Sequence, residues 1–219
     1  MIRRGFRSSP GKPTEKPHPK LCALFQMGDG VNEPQGLGRQ ASSDMQGTVI
    51  DGAFPGSYAR RYSASGGYVN VGYYTYRTYP WTAMFFIRSG NAAFEVCLFL
   101  SSTPSTRASI RVSNTKIRFA RYDLSATYAS ADVSLIANTW YHVAISCGSS
   151  IGSWKIWLNG TPLSLTTNGS YSHLGDSGGE LVYLVYNLGS YTIDIDHVKV
   201  YTVQLSDEEV LEEMNKRVW

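Results

Sequence analysis

The sequence predicts an all-β protein: a sandwich of two antiparallel sheets, followed by a short C-terminal helix and preceded by an extended N-terminal arm. Aromatic residues make up 13% of the chain, with fifteen Tyr, and 21 Gly accompany them. This composition is typical of many short strands joined by tight turns. Only 17% of the residues are charged, which excludes disordered and coiled-coil classes. The 219 residues are enough for one large β domain.

The predicted strands are short apolar or alternating segments, each bounded by Gly, Pro, Ser or Asn. They are residues 21–27, 57–63, 67–72, 81–88, 93–101, 110–112, 117–122 and 133–136. The polar stretch 38–47 is predicted to be a loop. No repeat of 34 or 40 residues is present, which argues against a solenoid or a propeller.

The last third of the chain has the clearest pattern. In residues 140–147 and 153–158, every second side chain is apolar and the side chains between them are of mixed polarity, so two half-buried strands are predicted. Asn159-Gly160 is the strongest hairpin signal in the chain, because both residues accept a positive φ, and we expect these two strands to meet there. A further strand covers 193–201, where strict alternation places His197 on the same face as Ile193 and Ile195.

The C-terminal helix is specified by its capping residues. Ser206 is the expected N-cap with Glu209 at N3, and Leu205 and Val210 occupy the staple positions. An apolar stripe is expected to lie on the sheet, and Lys216 and Arg217 suit the C-terminal end of the helix dipole. The members of that stripe are Val210, Leu211 and Met214.

Four segments in this order carry a family resemblance: Trp140-Tyr141-His142-Val143-Ala144, Leu158-Asn159-Gly160, Ile195-Asp196-His197-Val198-Lys199-Val200-Tyr201 and Leu205-Ser206-Asp207-Glu208-Glu209. They resemble the laminin-G-like, concanavalin A-like lectin-glucanase jelly-roll family. The resemblance implies a jelly roll over residues 21–219, with residues 1–20 as a separate arm. It also implies that the protein binds surfaces or sugars, since only some branches of that family are catalytic.

The carboxylate pattern argues against an enzyme. Glycosidases of this fold use paired carboxylates, and the E-x-D-x-x-E pattern of the retaining glucanases is absent. Asp194 and Asp196 have a two-residue spacing, but they belong to the family's I-D-x-V strand, where an acid supports nearby loops or a structural cation. His142 belongs to the W-x-H-V-A block and is expected to be a structural, hydrogen-bonded histidine rather than a catalytic one. The His and Cys spacings do not match a zinc site.

A structural Ca²⁺ is the expected cofactor, because its ligands are carboxylate and carbonyl oxygens. Asp29 follows the first predicted strand, and the chain ends of related jelly rolls meet near the acid that corresponds to Asp196. Family members often carry a second acid where this chain has His197, so the expected ligand set is incomplete.

Two segments are predicted to form a recognition surface. Aromatic residues crowd residues 73–81, and the Gly/Ser/Asn-rich loop 166–180 follows later in the chain. Sugars bind through aromatic stacking and polar loop tips; the alternative is that the Tyr-rich strands pack a sandwich edge. The candidate ligand-binding residues are Tyr73, Tyr74, Tyr76, Trp81, Tyr171, His173 and Asp176.

The first twenty residues are basic and rich in proline. Six cations against Glu15 give them a charge of +5, and the remaining residues therefore sum to −2, since the whole chain carries +3. Four Pro predict an extended arm, and we expect it to bind an acidic protein surface rather than nucleic acid. Residues 1–9 alternatively match an organellar targeting signal. The anchoring cations are Arg3, Arg4, Arg7, Lys12, Lys16 and Lys20.

Three function classes follow. The favoured class is a structural or adhesive module anchored in a large assembly, such as a virion capsid-decoration or tail component, which places the protein on a virion or an extracellular surface. The alternative is a free calcium-dependent carbohydrate-binding protein, and the third class is a glycoside hydrolase. No apolar run of eighteen residues is present, so no membrane span is predicted. Three Cys are too few for a disulfide scaffold.

Overall fold

The protein is described here by a computed structural model. It describes residues 21–25, 48–63, 69–74, 80–98, 108–121, 128–169, 180–184, 186–187 and 191–216. The arm of residues 1–20 lies outside this part of the chain.

Sixteen strands, one 3-10 turn (Ile151–Ser153) and one α-helix are found in the described residues. The first eight strands are β1 Leu21–Phe25, β2 Thr48–Asp51, β3 Tyr58–Ser63, β4 Val69–Tyr74, β5 Trp81–Ser89, β6 Glu95–Leu98, β7 Ala108–Ser113 and β8 Lys116–Arg121. The remaining elements are β9 Tyr128–Asp132, β10 Tyr141–Cys147, β11 Lys155–Leu158, β12 Thr161–Pro162, β13 Thr166–Asn168, β14 Glu180–Leu184, β15 Tyr186–Asn187, β16 Thr192–Tyr201 and α1 Asp207–Asn215.

The strands form two large antiparallel sheets, which confirms the predicted fold class. The eight-stranded sheet has the order β12-β11-β10-β5-β16-β3-β2, with β1 also paired to β16. The six-stranded sheet has the order β13-β9-β8-β7-β6-β15, and β14 pairs with β4 in a separate ribbon. Strand β16 is central: β5 lies along one edge, while β3 and β1 share the other.

The core lies between the two sheets. Phe85, Val143 and Ile145 of the eight-stranded sheet belong to the same buried cluster as Val112 and Ile117 of the six-stranded sheet. Their side chains are no more than 1% exposed, and burial of this kind is the main favourable term in folding. The core therefore fixes which face of every strand points outward.

The Asn159-Gly160 turn forms as predicted, with φ values of 52° and 76°. Such values are the left-handed pair that two-residue hairpins require. The turn joins β11 to β12, however, and not β10 to β11 as the sequence suggested. Strands β10 and β11 do pair, with Val143 opposite Leu158, but the segment that connects them runs through the 3-10 turn.

Strand β16 departs from the predicted alternation. The register on β5 shifts between Asp196 and Lys199, and His197 has a φ of 45°. This is a β-bulge, in which one extra residue is inserted and bends the strand. Ile193, Ile195 and then Val198 face the core, so the prediction that His197 shares the face of Ile193 and Ile195 is wrong.

The predicted strand 133–136 is also wrong. The amides of Val133 and Leu135 donate to the carbonyls of Thr115 and Asn114, the two residues that link β7 to β8, and Ile136 is 68% exposed. The segment therefore packs across a hairpin tip without joining a ladder. The strand in this region is β9, which ends at Asp132, one residue before the predicted strand begins.

The C-terminal helix has the predicted capping box. The Glu209 amide donates to Ser206 Oγ at 3.2 Å, and the Ser206 amide donates to Glu209 Oε2 at 2.7 Å. The apolar stripe is only partly correct: Val210 is fully buried, but Leu211 is 47% exposed. Glu213 takes its place on the buried face. The helix in the described part of the chain is too short to cross a membrane.

Candidate functional site

Each large sheet has an outer face that points away from the core. The outer face of the eight-stranded sheet, which carries Asp194, Asp196, Lys199 and Tyr201 of β16, is called the closed face below. The outer face of the six-stranded sheet, which carries Arg111, Arg118 and Tyr128, is called the open face. The two faces differ in how their charged side chains are satisfied.

On the closed face, Asp194 lies between two guanidinium groups. Arg61 donates from Nε to Oδ1 at 2.8 Å and from Nη2 to Oδ2 at 3.0 Å, and Arg88 donates from Nε to Oδ2 at 2.8 Å. The carboxylate is 1% exposed. The hydrogen bond and the charge of Asp194 raise the pKa of Arg61. The Arg88 guanidinium also lies 4.6 Å from the centre of the Trp140 ring, a cation–π contact.

Asp196, at the bulge, holds the loop between β2 and β3. Its Oδ2 accepts from the Ala53 amide at 2.8 Å and from Ser57 Oγ at 2.9 Å, and Nδ1 of His197 lies 2.6 Å from Oδ1. A Cβ at Gly52 would lie 2.1 Å from Ser57 Oγ and 2.4 Å from Asp196 Oδ2. Glycine is therefore required at this close approach.

Two histidine rings lie on the closed face, and each packs against a phenylalanine. The His197 ring centre is 5.5 Å from that of Phe54, and the His142 ring centre is 4.9 Å from that of Phe86. Burial, together with the charge of Lys199, lowers the pKa of His142 to about 3. Nδ1 of His142 has no hydrogen-bond partner among the described residues. The packing of His142 against Phe86 fits the structural role expected of it, but within the described part of the chain the hydrogen bond expected of this ring is not found at Nδ1.

The helix covers a second set of buried charges on the closed face. Lys199 Nζ donates to the Glu213 carbonyl at 2.6 Å, and Tyr201 Oη donates to Glu213 Oε2 at 2.7 Å. Lys216 Nζ donates to Glu213 Oε1 at 2.7 Å. Burial opposes ionisation of Glu213, but these hydrogen bonds and the charge of Lys199 outweigh it and lower the pKa of the carboxyl group.

The predicted calcium site stays a prediction. Asp29 lies outside the described residues, and Asp196 directs both of its oxygens at protein groups. The described residues contain no cluster of three or more His, Cys, Asp or Glu side chains that could hold a metal ion. A cation at Asp196 would have to displace the donors of Ala53 and Ser57. The observed bonds are those expected of an acid that supports a nearby loop.

The open face is built on a β7–β8 hairpin with a two-residue turn. Ser113 Oγ accepts from the Lys116 amide at 3.0 Å, which closes the turn. The register then places Arg111 directly opposite Arg118 and Ser109 opposite Ala120. On the next strand, β9, Ser130 is opposite Arg118.

The charged side chains of the open face are partly solvent-exposed. Arg111 is 34% exposed and its Nη1 lies 3.4 Å from Oε1 of Glu95, which is 46% exposed. Arg118 Cζ lies 4.2 Å above the centre of the Tyr128 ring. Sequence reasoning missed this cluster, although the two-residue turn at Asn114-Thr115 and the polar alternation around it could have indicated it.

The structure describes only part of the predicted recognition surface. Tyr73 and Tyr74 lie on β4, where Tyr74 pairs with Glu180 at the end of the predicted loop, so the two segments do meet. The Trp81 ring packs edge-on against Phe119 with a 5.6 Å centre separation and is partly buried against the core. The remaining candidates, Tyr76, Tyr171, His173 and Asp176, lie outside the described residues. Their ligand-binding role stays a prediction.

The same limit applies to the arm cations, which all lie outside the described residues: Arg3, Arg4, Arg7, Lys12, Lys16 and Lys20. Of the cysteines, Cys147 is a buried free thiol, and burial raises the pKa of that thiol.

Several solved structures share this fold. One concerns botulinum neurotoxin type C, whose cell entry is described as dependent upon interaction with two ganglioside molecules; it has a TM-score of 0.67 at 14% identity. The binding domain of botulinum neurotoxin DC in complex with rat synaptotagmin II has a TM-score of 0.66 at 14% identity. The binding domain of paraclostridial mosquitocidal protein 1 has a TM-score of 0.64 at 15% identity.

These matches cover 90% of this chain, but the chain spans only about half the length of the matched structures, 51–52%. At this level of identity the likeness establishes the fold alone. No curated protein sequence matches the chain.

The family assignment comes from the sequence itself. A family model described as the concanavalin A-like lectin/glucanases superfamily, of the laminin G type, matches residues 63–211. This range includes the W-x-H-V-A strand, the Asn159-Gly160 turn, the bulged strand β16 and the start of the terminal helix. The chain therefore belongs to the concanavalin A-like lectin/glucanases superfamily.

Proposed function

We propose that this protein is a non-catalytic binding module that recognises glycans or a glycan-bearing receptor. The observation that carries the proposal is that the two acids of β16 on the closed face, Asp194 and Asp196, are both bound by protein groups. Asp194 is bound by Arg61 and Arg88, and Asp196 is bound by the loop it holds. Glycoside hydrolysis needs two carboxyl groups that reach the sugar from either side, and both of these are less than 2% exposed.

The structural relatives support recognition as the role of the fold. The matched structures are described through what they bind: two ganglioside molecules for botulinum neurotoxin type C and rat synaptotagmin II for the DC serotype. A further structure shows the DC binding domain in complex with SialylT. A jelly roll of the same fold suits the same kind of task in this chain.

We further propose that the arm of residues 1–20 anchors this module in a larger assembly, such as a virion surface. Its charge of +5 and four prolines support the proposal. An extended segment costs less entropy to order against a partner than a flexible one does, and its cations would steer it to an acidic groove.

Glycan-array binding by the full chain, with a parallel assay for released reducing sugar, tests the module. We expect retention on at least one glycan class without hydrolysis, and the same retention after residues 1–20 are deleted.

Loss of assembly association on that deletion, with an unchanged Tm, would support the anchor. Calcium dependence is checked by repeating the array with chelator, where lost binding would favour the free calcium-dependent lectin. Release of reducing sugar, or retention on no glycan, would overturn the module proposal.

A further inference from the structure

Three aromatic side chains lie at the closed face outside both apolar cores. Trp140, Phe86 and Phe54 join neither the buried cluster between the two sheets nor the one beneath the terminal helix. Each of them is only partly buried. Apolar side chains that lie together and stay partly open to water are typical of a binding surface. These three side chains are called the aromatic patch below.

The aromatic patch extends across the sheet from the start of β10 to the loop between β2 and β3. Trp140 precedes β10, and the guanidinium of Arg88 on β5 lies 4.6 Å from the centre of its ring. Phe86 is two residues before Arg88 in β5 and therefore lies on the same face. The Phe54 ring packs edge-on against Phe86 at a centre separation of 4.8 Å. The rings and the guanidinium group thus lie side by side on one face.

Two guanidinium groups border the aromatic patch and are fixed in place. Arg88 and Arg61 lie on the strands that flank Asp194. Among the described residues, every hydrogen bond of these guanidinium groups goes to the Asp194 carboxylate. The two arginine side chains are nevertheless 24% and 42% exposed. Because an arginine has five N–H groups, each keeps donors that Asp194 does not use.

The loop that carries Phe54 is fixed as well. Asp196 accepts hydrogen bonds from the Ala53 amide and from Ser57 Oγ. The Ser57 amide donates to the Phe54 carbonyl at 3.0 Å, and the Phe54 amide donates to Ser57 Oγ at 3.1 Å. A site whose groups are held in place before binding loses less conformational entropy when a ligand arrives. The aromatic patch and its donors therefore form a preorganised surface.

The chemistry of this surface matches a neutral sugar ring. A pyranose presents C–H groups that pack against an aromatic ring, and its hydroxyl oxygens accept hydrogen bonds from N–H donors. Asp194 already holds both guanidinium groups in ion pairs, so the ligand needs acceptor oxygens but no negative charge of its own. Asp194 itself is 1% exposed, which makes it a positioning residue for the two arginines.

We propose that the aromatic patch binds a neutral sugar ring, which packs against Trp140 and accepts hydrogen bonds from Arg88 and Arg61. This assignment rests on the proposed glycan-binding function and adds to it the ligand class and the residues. It follows from three observations: aromatic rings that neither core uses, guanidinium donors that are held but partly exposed, and a carboxylate that fixes them from below.

The test measures binding of three neutral disaccharides, lactose, maltose and mannobiose, to the wild-type chain and its variants by NMR titration. We expect wild type to bind at least one of them. Trp140→Leu keeps an apolar side chain without a flat ring and should bind that sugar about tenfold more weakly. Arg61→Gln should weaken binding by about threefold or more. The matched control is Arg111→Gln on the open face, where the arginine is 34% exposed, and it should change the affinity by less than about twofold.

Folding of each variant is checked by its Tm and circular dichroism. If Trp140→Leu loses its fold, Arg61→Gln carries the test, because Arg88 still donates to Asp194 in that variant. Equal sugar binding by wild type and by the folded variants would overturn the site while leaving a glycan-binding module. Binding of none of the three neutral disaccharides would overturn the ligand class, even if 3′-sialyllactose or another glycan of the array is retained. Retention on no glycan of the array would overturn both the site and the proposed function.

Discussion

The closed face and the open face belong to the same sandwich but satisfy their charges in different ways. On the closed face, Asp194, Asp196 and Glu213 are almost fully buried, and each has named donors. On the open face, Arg111 and Glu95 are a third to a half exposed and meet at 3.4 Å. The comparison teaches that buried charge on the closed face maintains the structure, whereas the Arg111–Glu95 pair on the open face is exposed to solvent and contributes little to stability.

The largest expected effect comes from removing an acid on the closed face. Asp194→Ala leaves Arg61 and Arg88 side by side without their shared carboxylate. Because both guanidinium groups are partly exposed, the expected cost is about 3 kcal/mol, at the lower end of the range for a buried pair. The matched change on the open face, Glu95→Ala, should cost less than about 1 kcal/mol, because its ion pair is exposed. Urea unfolding of both variants measures the difference. Similar losses of unfolding free energy would erase the distinction between the faces.

A second difference appears on lowering the pH. His142 has a pKa of about 3 in the folded protein and about 6.5 when unfolded. Its folded pKa is depressed, so the unfolded state binds the extra proton, and stability is full above pH 6.5 and falls as the pH drops. The slope should approach about 1.4 kcal/mol per pH unit between pH 6 and pH 4. Urea unfolding of His142→Gln across this range should show a flatter dependence than wild type.

An unchanged slope in that variant would mean that His142 is not the group responsible. Measurements at pH 7–8, where His142 is neutral in both states, serve as the control for the intrinsic cost of the substitution. The pKa of Glu213 is also lowered, but its contribution is lost only below the ordinary range of a carboxyl group, near pH 4. The two effects are therefore separable by pH.

The smallest of the three effects concerns the loop that Asp196 holds. Gly52→Ala places a Cβ within 2.4 Å of both Ser57 Oγ and Asp196 Oδ2, so the loop must move, at an expected cost of about 1–3 kcal/mol. Gly152→Ala is the control, since a Cβ at Gly152 meets nothing within 4 Å. Thermal unfolding should show a lower Tm for the first variant alone. An equal Tm would mean that the loop yields without losing its bonds to Asp196.

Much of the fold could be predicted because local signals agreed with the packing. The capping box at Ser206 and Glu209, the positive φ at Asn159-Gly160 and the alternation in β10 each depend on neighbouring residues alone. The failures arose where a distant partner decides the outcome. Glu213 rather than Leu211 lies on the buried face because it accepts a hydrogen bond from Tyr201 of β16 beneath the helix, and no periodicity in the helix sequence reveals that partner.

The candidate site was harder to predict for the same reason. The sequence drew attention to aromatic residues and loops, whereas the Arg111–Arg118 pair depends on the register of two strands. That register could have been predicted from the sequence, because a two-residue turn at Asn114-Thr115 fixes which residues of the two strands are opposite. The partial exposure of Arg111 and the position of Glu95 on a neighbouring strand could not be derived without the packing of the sheet.

The bulge at His197 also predicts how strand β16 responds to a change in its length. Before the bulge, Asp196 pairs with Phe86, and after it Lys199 pairs with Met84. Without His197 the strand would read Ile-Asp-Ile-Asp-Val-Lys-Val-Tyr from residue 193, a strict alternation in one continuous register with β5. The strand is thus a regular one with a single residue inserted, so a deletion at this position preserves the inside and outside of every neighbour. Deleting any adjacent residue instead leaves the histidine to occupy a regular place in the ladder, where its side chain would have to fit among those of the flanking strands.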